Sequence, residues 1–207
     1  MIILDLDGTV NDSSPGVKHC FLKTAQLYGK DLSEEVLNTG LSGQFVENLT
    51  RLLGLQPDQI SEATDRYVEL YLNEGQSMAE IFPGIPETIQ YLKEKGYLIG
   101  MATLMGDEYA KNTLKMKGIS HLFDSVHGAS LTEFISKEQL IGFCLDDFDL
   151  DPSEAVMVGD GQDDHRASQV AGVDFIGVTY GYDIDEDYCK KHSLEFIGSP
   201  EDLRRLF

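Results

Sequence analysis

Met1-Ile-Ile-Leu-Asp-Leu-Asp-Gly-Thr-Val-Asn-Asp12 opens a chain of 207 residues. Ile2, Ile3 and Leu4 form the apolar run expected of a strand covered on both faces of a sheet. The run passes straight into Asp5 and Asp7 and is broken by Gly8. A buried strand ending in two carboxylates is costly unless a cation or protons offset the charge. In an open α/β sheet chemistry gathers at the carboxyl ends of strands, which is where this pair falls. In an extended backbone Asp5 and Asp7 point to the same side, so one can attack while the other handles a proton. A calcium loop does not fit. An EF-hand needs Gly at its sixth position and Glu at its twelfth; counted from Asp5, the fourth residue is Gly8 and the twelfth is Gly16.

Outward from this strand, apolar positions recur at helical spacing from Ser14 to about Leu72: Val17, Phe21 and Thr24, then Phe45, Leu49, Leu52 and Leu53, then Ile60, Ala63, Tyr67 and Leu70. A helical block between the first strand and the rest reads as an insertion, with Asn73 to Ser77 as its return linker. The expected division is residues 1–13 with 78–207 as an α/β core and 14–77 as the helical domain. Beyond the insertion, strand and helix alternate. Strands are expected at Tyr97 to Ala102, Phe123 to Val126, Ala155 to Val158, Phe175 to Val178 and Glu195 to Ile197. Helices are expected after Pro83, over Asp107 to Lys117, around Leu140 to Phe148, around Ala167 to Ala171, and from Ser199-Pro200. The pattern predicts a Rossmann-like, doubly wound parallel sheet.

Three later strand ends repeat the polar character of the first. Thr103 follows one and offers a hydroxyl; Ser136-Lys137 precedes a helix and offers a cation; Gly159-Asp160 leads into Gly161, Asp163 and Asp164. A threonine ending a strand and a lysine opening a helix are each unremarkable alone. The order acids, hydroxyl, lysine, acids at four successive strand ends is not. Neighbouring Lys111, Lys115 and Lys117 lie on an earlier helix and are weaker rivals to Lys137.

Asp5-Leu-Asp-Gly-Thr9, Thr103, Lys137 and Gly159-Asp-Gly-Gln-Asp-Asp164 together resemble the four motifs of the haloacid-dehalogenase-like (HAD) phosphatases. Asp12-Ser-Ser-Pro-Gly-Val17, Phe82-Pro-Gly-Ile-Pro-Glu87, Lys95-Gly-Tyr97 and Ile176-Gly-Val-Thr-Tyr-Gly-Tyr182 are similar to the phosphoglycolate-phosphatase-like group. Two features depart from the family pattern: Leu104 and Met105 follow Thr103 where a polar residue and Lys are frequent, and Glu138 follows Lys137 where Pro is frequent. The resemblance implies that the helical block is a cap domain closing over the active site. It implies Asp5 as nucleophile, Asp7 as acid and base, Thr103 and Lys137 on the phosphoryl oxygens, and Mg2+ held by Asp5, the Asp7 carbonyl and Asp160, with Asp164 in support. Magnesium suits such a site, being hard, oxygen-seeking and content with a few carboxylates plus phosphate and water. The Leu41-Ser-Gly-Gln-Phe45 loop resembles the cap loop that faces the site in relatives. Lys18, His19 and Arg51 are cations able to meet a substrate carboxylate, against the plainer reading of each as a solvated helix face.

The implied function is hydrolysis of a small-molecule phosphate ester through an aspartyl-phosphate, on a phosphoglycolate-like substrate. Nucleotide or sugar-phosphate phosphatases and phosphomutases of the same fold stay open, as does a non-catalytic binding protein. A second acid at Asp7 argues against the dehalogenases and phosphonatases, and the helical insertion argues against a receiver-type phosphoacceptor. The net charge of -20 argues against a nucleic-acid partner. No apolar stretch approaches the roughly 20 residues of a membrane span. The first strand begins at Ile2, leaving no room for a leader, and Cys20, Cys144 and Cys189 show no C-x-x-C spacing. A reduced, cytoplasmic setting is therefore expected. Oligomeric state is not legible at this level.

Overall fold

The computed structural model describes residues 1–41, 45–130 and 133–207. The chain divides into two compact units, one of Met1–Asp12 with Ile81–Phe207 and the other Ser13–Glu80.

The first unit is built on six strands: β1 (Ile2–Leu4), β4 (Ile99–Gly106), β5 (Ser125–Ala129), β6 (Val156–Gly159), β7 (Asp174–Val178) and β8 (Glu195–Ile197). Two-residue strands β2 (Asn11–Asp12) and β3 (Glu80–Ile81) lie outside that sheet. The order is β5-β4-β1-β6-β7-β8 and every pairing within it is parallel. From β1 the chain winds outward to β4 and β5, then crosses to the other side for β6, β7 and β8. The reversal falls between β1 and β6, the crevice where open α/β sheets place ligands.

Strand alternation distributes β1 between two cores. Ile2, Leu4 and Leu6 pack with Ile85, Ile89 and Leu92 of α6 (Ile85–Glu94) and with Ala110 and Leu114 of α7 (Asp107–Met116). Ile3 packs instead with Leu140, Ile141, Cys144 and Leu145 of α8 (Lys137–Asp146) and Ala167 of α9 (Gln162–Ala171). All of these side chains are buried, and each Ile and Leu among them contributes about 1.5–3 kcal/mol of transfer free energy. Asp5 has the parity of Ile3, so its side chain belongs to the face that carries α8 and α9. That alternation aims the first acid toward Lys137 and Asp164.

The helical unit holds α1 (Ser14–Leu27), α2 (Glu34–Asn38), α3 (Phe45–Leu53), α4 (Ile60–Leu70) and α5 (Gln76–Met78). Its core joins Cys20, Phe21 and Ala25 to Leu49, Leu52, Leu53, Ala63 and Tyr67. The Tyr67 ring lies 4.9 Å from Phe21 and 4.6 Å from Phe45. The stretch expected as a linker, Asn73 to Ser77, is helical instead: Tyr71–Gly75 forms a π-helical turn that runs into α5. Gly75 serves close packing there, since a Cβ on it would lie 2.7 Å from Cys20 Sγ and 2.9 Å from Tyr71 Cδ2.

Smaller differences have local causes. A 3-10 turn at Ser120–Leu122 delays the strand expected at Phe123, and β5 runs from Ser125 to Ala129. β4 continues past Thr103 to Gly106 through a register shift against β5. Helix α10 (Glu186–His192), started by the Asp185 side chain accepting from the Tyr188 N–H, carries too few apolar residues to show helical periodicity. The chain ends in a 3-10 turn, Pro200–Asp202, and α11 (Leu203–Leu206).

Candidate active site

Asp5, Asp160, Lys137 and Asp164 come from the end of β1, the end of β6, the start of α8 and the first turn of α9. All four are buried, at 8%, 4%, 8% and 1% exposure. Lys137 Nζ lies 2.7 Å from Asp5 Oδ1 and also pairs with Asp164 Oδ1. Oxygens of Asp5, Asp160 and Asp164 fall within 4.8 Å of one another. Residues from three distant stretches of sequence thus share one buried volume.

The surrounding backbone fixes each of them. The Asp5 N–H donates to the Val158 carbonyl (3.0 Å), which continues the β1–β6 ladder one residue past the strand. After that the chain turns. The N–H groups of Val10 and Asn11 both donate to the Leu6 carbonyl (2.9 Å each), and Gly8 adopts φ +81°. A Cβ on Gly8 would lie 2.1 Å from Asp160 Oδ2, so glycine is required there for both its backbone angle and its lack of a side chain. Asp164 Oδ2 accepts the Gly161 N–H (2.9 Å), which seats that carboxylate at the start of α9. Asp160 Oδ2 accepts the Tyr182 N–H (2.7 Å) and Asp160 Oδ1 the Thr9 hydroxyl (3.2 Å).

Asp7 and Thr103 have hydrogen-bond partners of their own. The chain turns after Leu6, so Asp7 lies beyond β1. Asp7 is half-buried outside the acidic cluster, and Asn11 Nδ2 donates to its Oδ1 (3.1 Å). Thr103 is buried, and its Oγ1 accepts the Met105 N–H (3.1 Å). With its oxygen engaged as acceptor, the hydroxyl still has its own proton to donate.

Electrostatics in this volume are crowded. Burial pulls the Lys137 pKa down, but Asp164 and Asp5 outweigh it and hold the ammonium charged, above the usual lysine range. Burial pushes Asp160 up to about 8, helped by the negative charges of Asp5 and Asp164. Asp164 is raised too, by burial first, with Lys137 opposing. Among the described residues, Asp5 Oδ1 and Asp164 Oδ1 are buried without a well-aligned hydrogen-bond donor, so the lysine charge is their main compensation. Three carboxylates against one ammonium leave two negative charges unmet when all are ionised. An all-oxygen donor set with that excess fits a hard divalent cation.

The sign of this crowding sets a pH dependence. Asp160 binds its proton more tightly folded (about 8) than unfolded (3.8), so folding stability falls as pH climbs through that interval. In chelator, Asp160→Asn is expected to unfold several degrees above wild type at about pH 8, an advantage that shrinks as pH falls and is lost below about pH 4. Thermal unfolding against pH checks this; a difference independent of pH would contradict it.

In the helical unit the cations singled out in the sequence have internal partners. Arg51 donates to the Thr39 carbonyl (2.8 Å), the Thr39 hydroxyl (3.1 Å) and Asn48 Oδ1 (2.9 Å). His19 and Lys23 both meet Glu74 (2.8 and 2.7 Å), and Lys18 lies 3.9 Å from Glu34. Of the loop from Leu41 to Phe45, Ser42, Gly43 and Gln44 lie outside the described residues. The rival Lys111 is exposed and paired with Asp107 (2.7 Å).

A family model described as Haloacid dehalogenase-like hydrolase matches residues 2–178, a span that contains the whole buried cluster. The chain belongs to the haloacid dehalogenase-like hydrolases. A phosphoglycolate phosphatase from Nitrosococcus oceani is 26% identical over 214 aligned positions, spanning 100% of this chain and 95% of the relative. The solved structure of a haloacid dehalogenase-like family hydrolase from Streptococcus pneumoniae superposes with a TM-score of 0.91 at 26% identity, over 100% of this chain and 97% of that one. The tyrosine-protein kinase PtkA of Mycobacterium bovis is 30% identical over 183 positions, 88% of this chain and 62% of that protein. Within the haloacid dehalogenase-like hydrolases this chain is a phosphatase-type enzyme, similar to relatives named phosphoglycolate phosphatase. Among its described residues no helix is long and apolar enough to cross a membrane.

Thr9, Asn11 and Tyr182 contact site residues, yet spacing could not single them out. Thr9 and Asn11 hide inside the first motif, and Tyr182 reaches Asp160 through a backbone N–H, which any residue type possesses.

Proposed function

We propose that the chain is a Mg2+-dependent phosphomonoesterase acting on a small phosphate ester, with Asp5 as its nucleophile. The carrying observation is the Asp5 carboxylate, held 2.7 Å from a charged lysine beside two further acids at the sheet's switch point. An Asp5 oxygen attacks phosphorus in line and the phosphorus–oxygen bond to the leaving group breaks, giving an aspartyl-phosphate. Asp7, oriented by Asn11, gives its proton to the departing alkoxide. It then takes a proton from the water that attacks the aspartyl-phosphate, releasing inorganic phosphate and restoring Asp5. Lys137 and the Thr103 hydroxyl steady the charge on the equatorial phosphoryl oxygens. The Asp5 and Asp160 carboxylates with the Asp7 carbonyl would hold Mg2+, and Asp164 would orient Lys137. When bound, the metal supplies the positive charge that lets a phosphate dianion approach this many carboxylates.

The helical unit, Ser13–Glu80, is assigned the part of a cap that selects the leaving group. A phosphoglycolate-like ester is the favoured substrate, because relatives that match nearly the whole chain carry that name. Nucleotide and sugar-phosphate esters are the alternative substrates. Release of phosphate from phosphoglycolate, sugar phosphates and nucleotides, with Mg2+ and with chelator, tests the proposal. One dominant metal-dependent ester is expected; turnover unaffected by chelator, or none across the panel, would overturn it. A binding protein would then be the better reading.

A further inference from the structure

The segment after β7 returns to Asp160 at several points. Tyr182 N–H donates to Asp160 Oδ2 (2.7 Å) and Ile184 N–H to the Asp160 carbonyl (2.9 Å). Asp183 accepts from both the backbone and the side-chain nitrogen of Gln162 (2.9 and 3.2 Å). A Cβ on Gly181 would lie 2.3 Å from the Asp160 Cβ, so the segment presses directly on that side chain. The same segment is also tied to the loop after β1. Tyr180 donates its phenol proton to the Thr9 carbonyl (2.9 Å), and its ring meets Phe82 edge-on at 5.0 Å. Tyr182 donates its phenol proton to Asp12 Oδ1 (2.8 Å). Thr9 closes the circuit through its hydroxyl on Asp160 Oδ1 (3.2 Å).

We infer that Tyr182 is a positioning residue for the Asp160 carboxylate, its phenol anchored on Asp12 so that its backbone N–H stays aimed at Oδ2. The inference rests on the reading of Asp160 as a metal ligand. The Asp160 carboxylate is fixed by two donors, the Thr9 hydroxyl and the Tyr182 N–H, beside the Asp5 and Asp164 carboxylates. Tyr182 is 22 residues from Asp160 in sequence, and its phenol on Asp12 acts by holding the segment whose N–H meets Asp160. Outer partners that orient a ligand change metal affinity by about 10–100-fold when removed, although they never meet the ion.

Tyr182→Phe keeps the ring and deletes the phenol bond. Calorimetric titration of the purified protein with Mg2+ alone is expected to show a Kd raised about tenfold. Activity should fall mainly at limiting Mg2+ and recover towards wild type at saturation. Asp12→Ala should reproduce the weakened binding, Asp12→Asn, which keeps an acceptor, should restore it, and Tyr182→Phe with Asp12→Ala should be no worse than either alone. An unchanged Kd in Tyr182→Phe and Asp12→Ala, even with a lowered Tm, would overturn the inference and leave the phenol a packing role. A wild-type protein that takes up no Mg2+ would instead overturn the metal reading beneath it.

Discussion

Asp5→Asn is expected to abolish phosphate release, with kcat/KM falling on the order of 10⁴-fold or more. An amide has nearly the shape of the carboxylate but no charge, and it is a far poorer nucleophile. The substitution separates chemistry from folding cleanly. Asp5 contributes to the raised pKa of both Asp160 and Asp164, so its neutral isostere lowers the crowding of buried charge. The metal-free variant is therefore expected to be no less stable than wild type while being inactive. A variant that unfolds early would show that the Asp5–Lys137 pair is required for the fold, and one that stays active would remove Asp5 as nucleophile.

Lys137→Ala is expected to damage stability and activity together. Lys137 is the cation that faces both Asp5 Oδ1 and Asp164 Oδ1, two buried oxygens with no other well-aligned donor among the described residues. Removing one partner from a buried ionic cluster costs about 3–5 kcal/mol, because the remaining charges stay uncompensated. For a chain of this length that is a loss on the order of 10 °C in Tm. The sign with pH follows. Without the ammonium the acids hold protons more readily in the folded state, so the variant should regain stability as pH falls. Added Mg2+ should also restore part of the loss by meeting the same oxygens. Lys111→Ala, at an exposed pair with Asp107, is expected to change Tm by less than about 1 kcal/mol equivalent. Equal effects at the two lysines in thermal unfolding and phosphate release would contradict the assignment.

How much of this could be read from the chain depends on how local each signal is. Ile2-Ile3-Leu4 followed by Asp5 is contiguous, and the two-residue period of a strand specifies the face on which Asp5 lies. The alternation beyond Pro83 likewise carries the parallel sheet, since each strand or helix announces itself in a short window. Thr103, Lys137 and Asp160 are harder individually and became visible through their order at strand ends. Asp7 lies just past β1 in a turn at Leu6 that depends on backbone bonds from Val10 and Asn11, which no periodicity encodes. The linker expected at Asn73 to Ser77 failed for a related reason: glycine is ambiguous between a turn and a close helix contact, and Gly75 is the second. Helix α10 carries its signal in a cap, Asp185, with too few apolar residues to reveal it. The clasp from Tyr180 and Tyr182 to Thr9 and Asp12 spans about 170 residues, and only the folded sheet brings those loops together.

The most direct measurement is acid quenching of the enzyme during turnover with Mg2+ and its best substrate, followed by peptide mapping by mass. A phosphoryl group recovered on the peptide that contains Asp5, lost on standing at neutral pH and absent from Asp5→Asn, is the expected result. A phosphoryl group on another residue, or phosphate release by Asp5→Asn at the wild-type rate, would contradict Asp5 as the nucleophile.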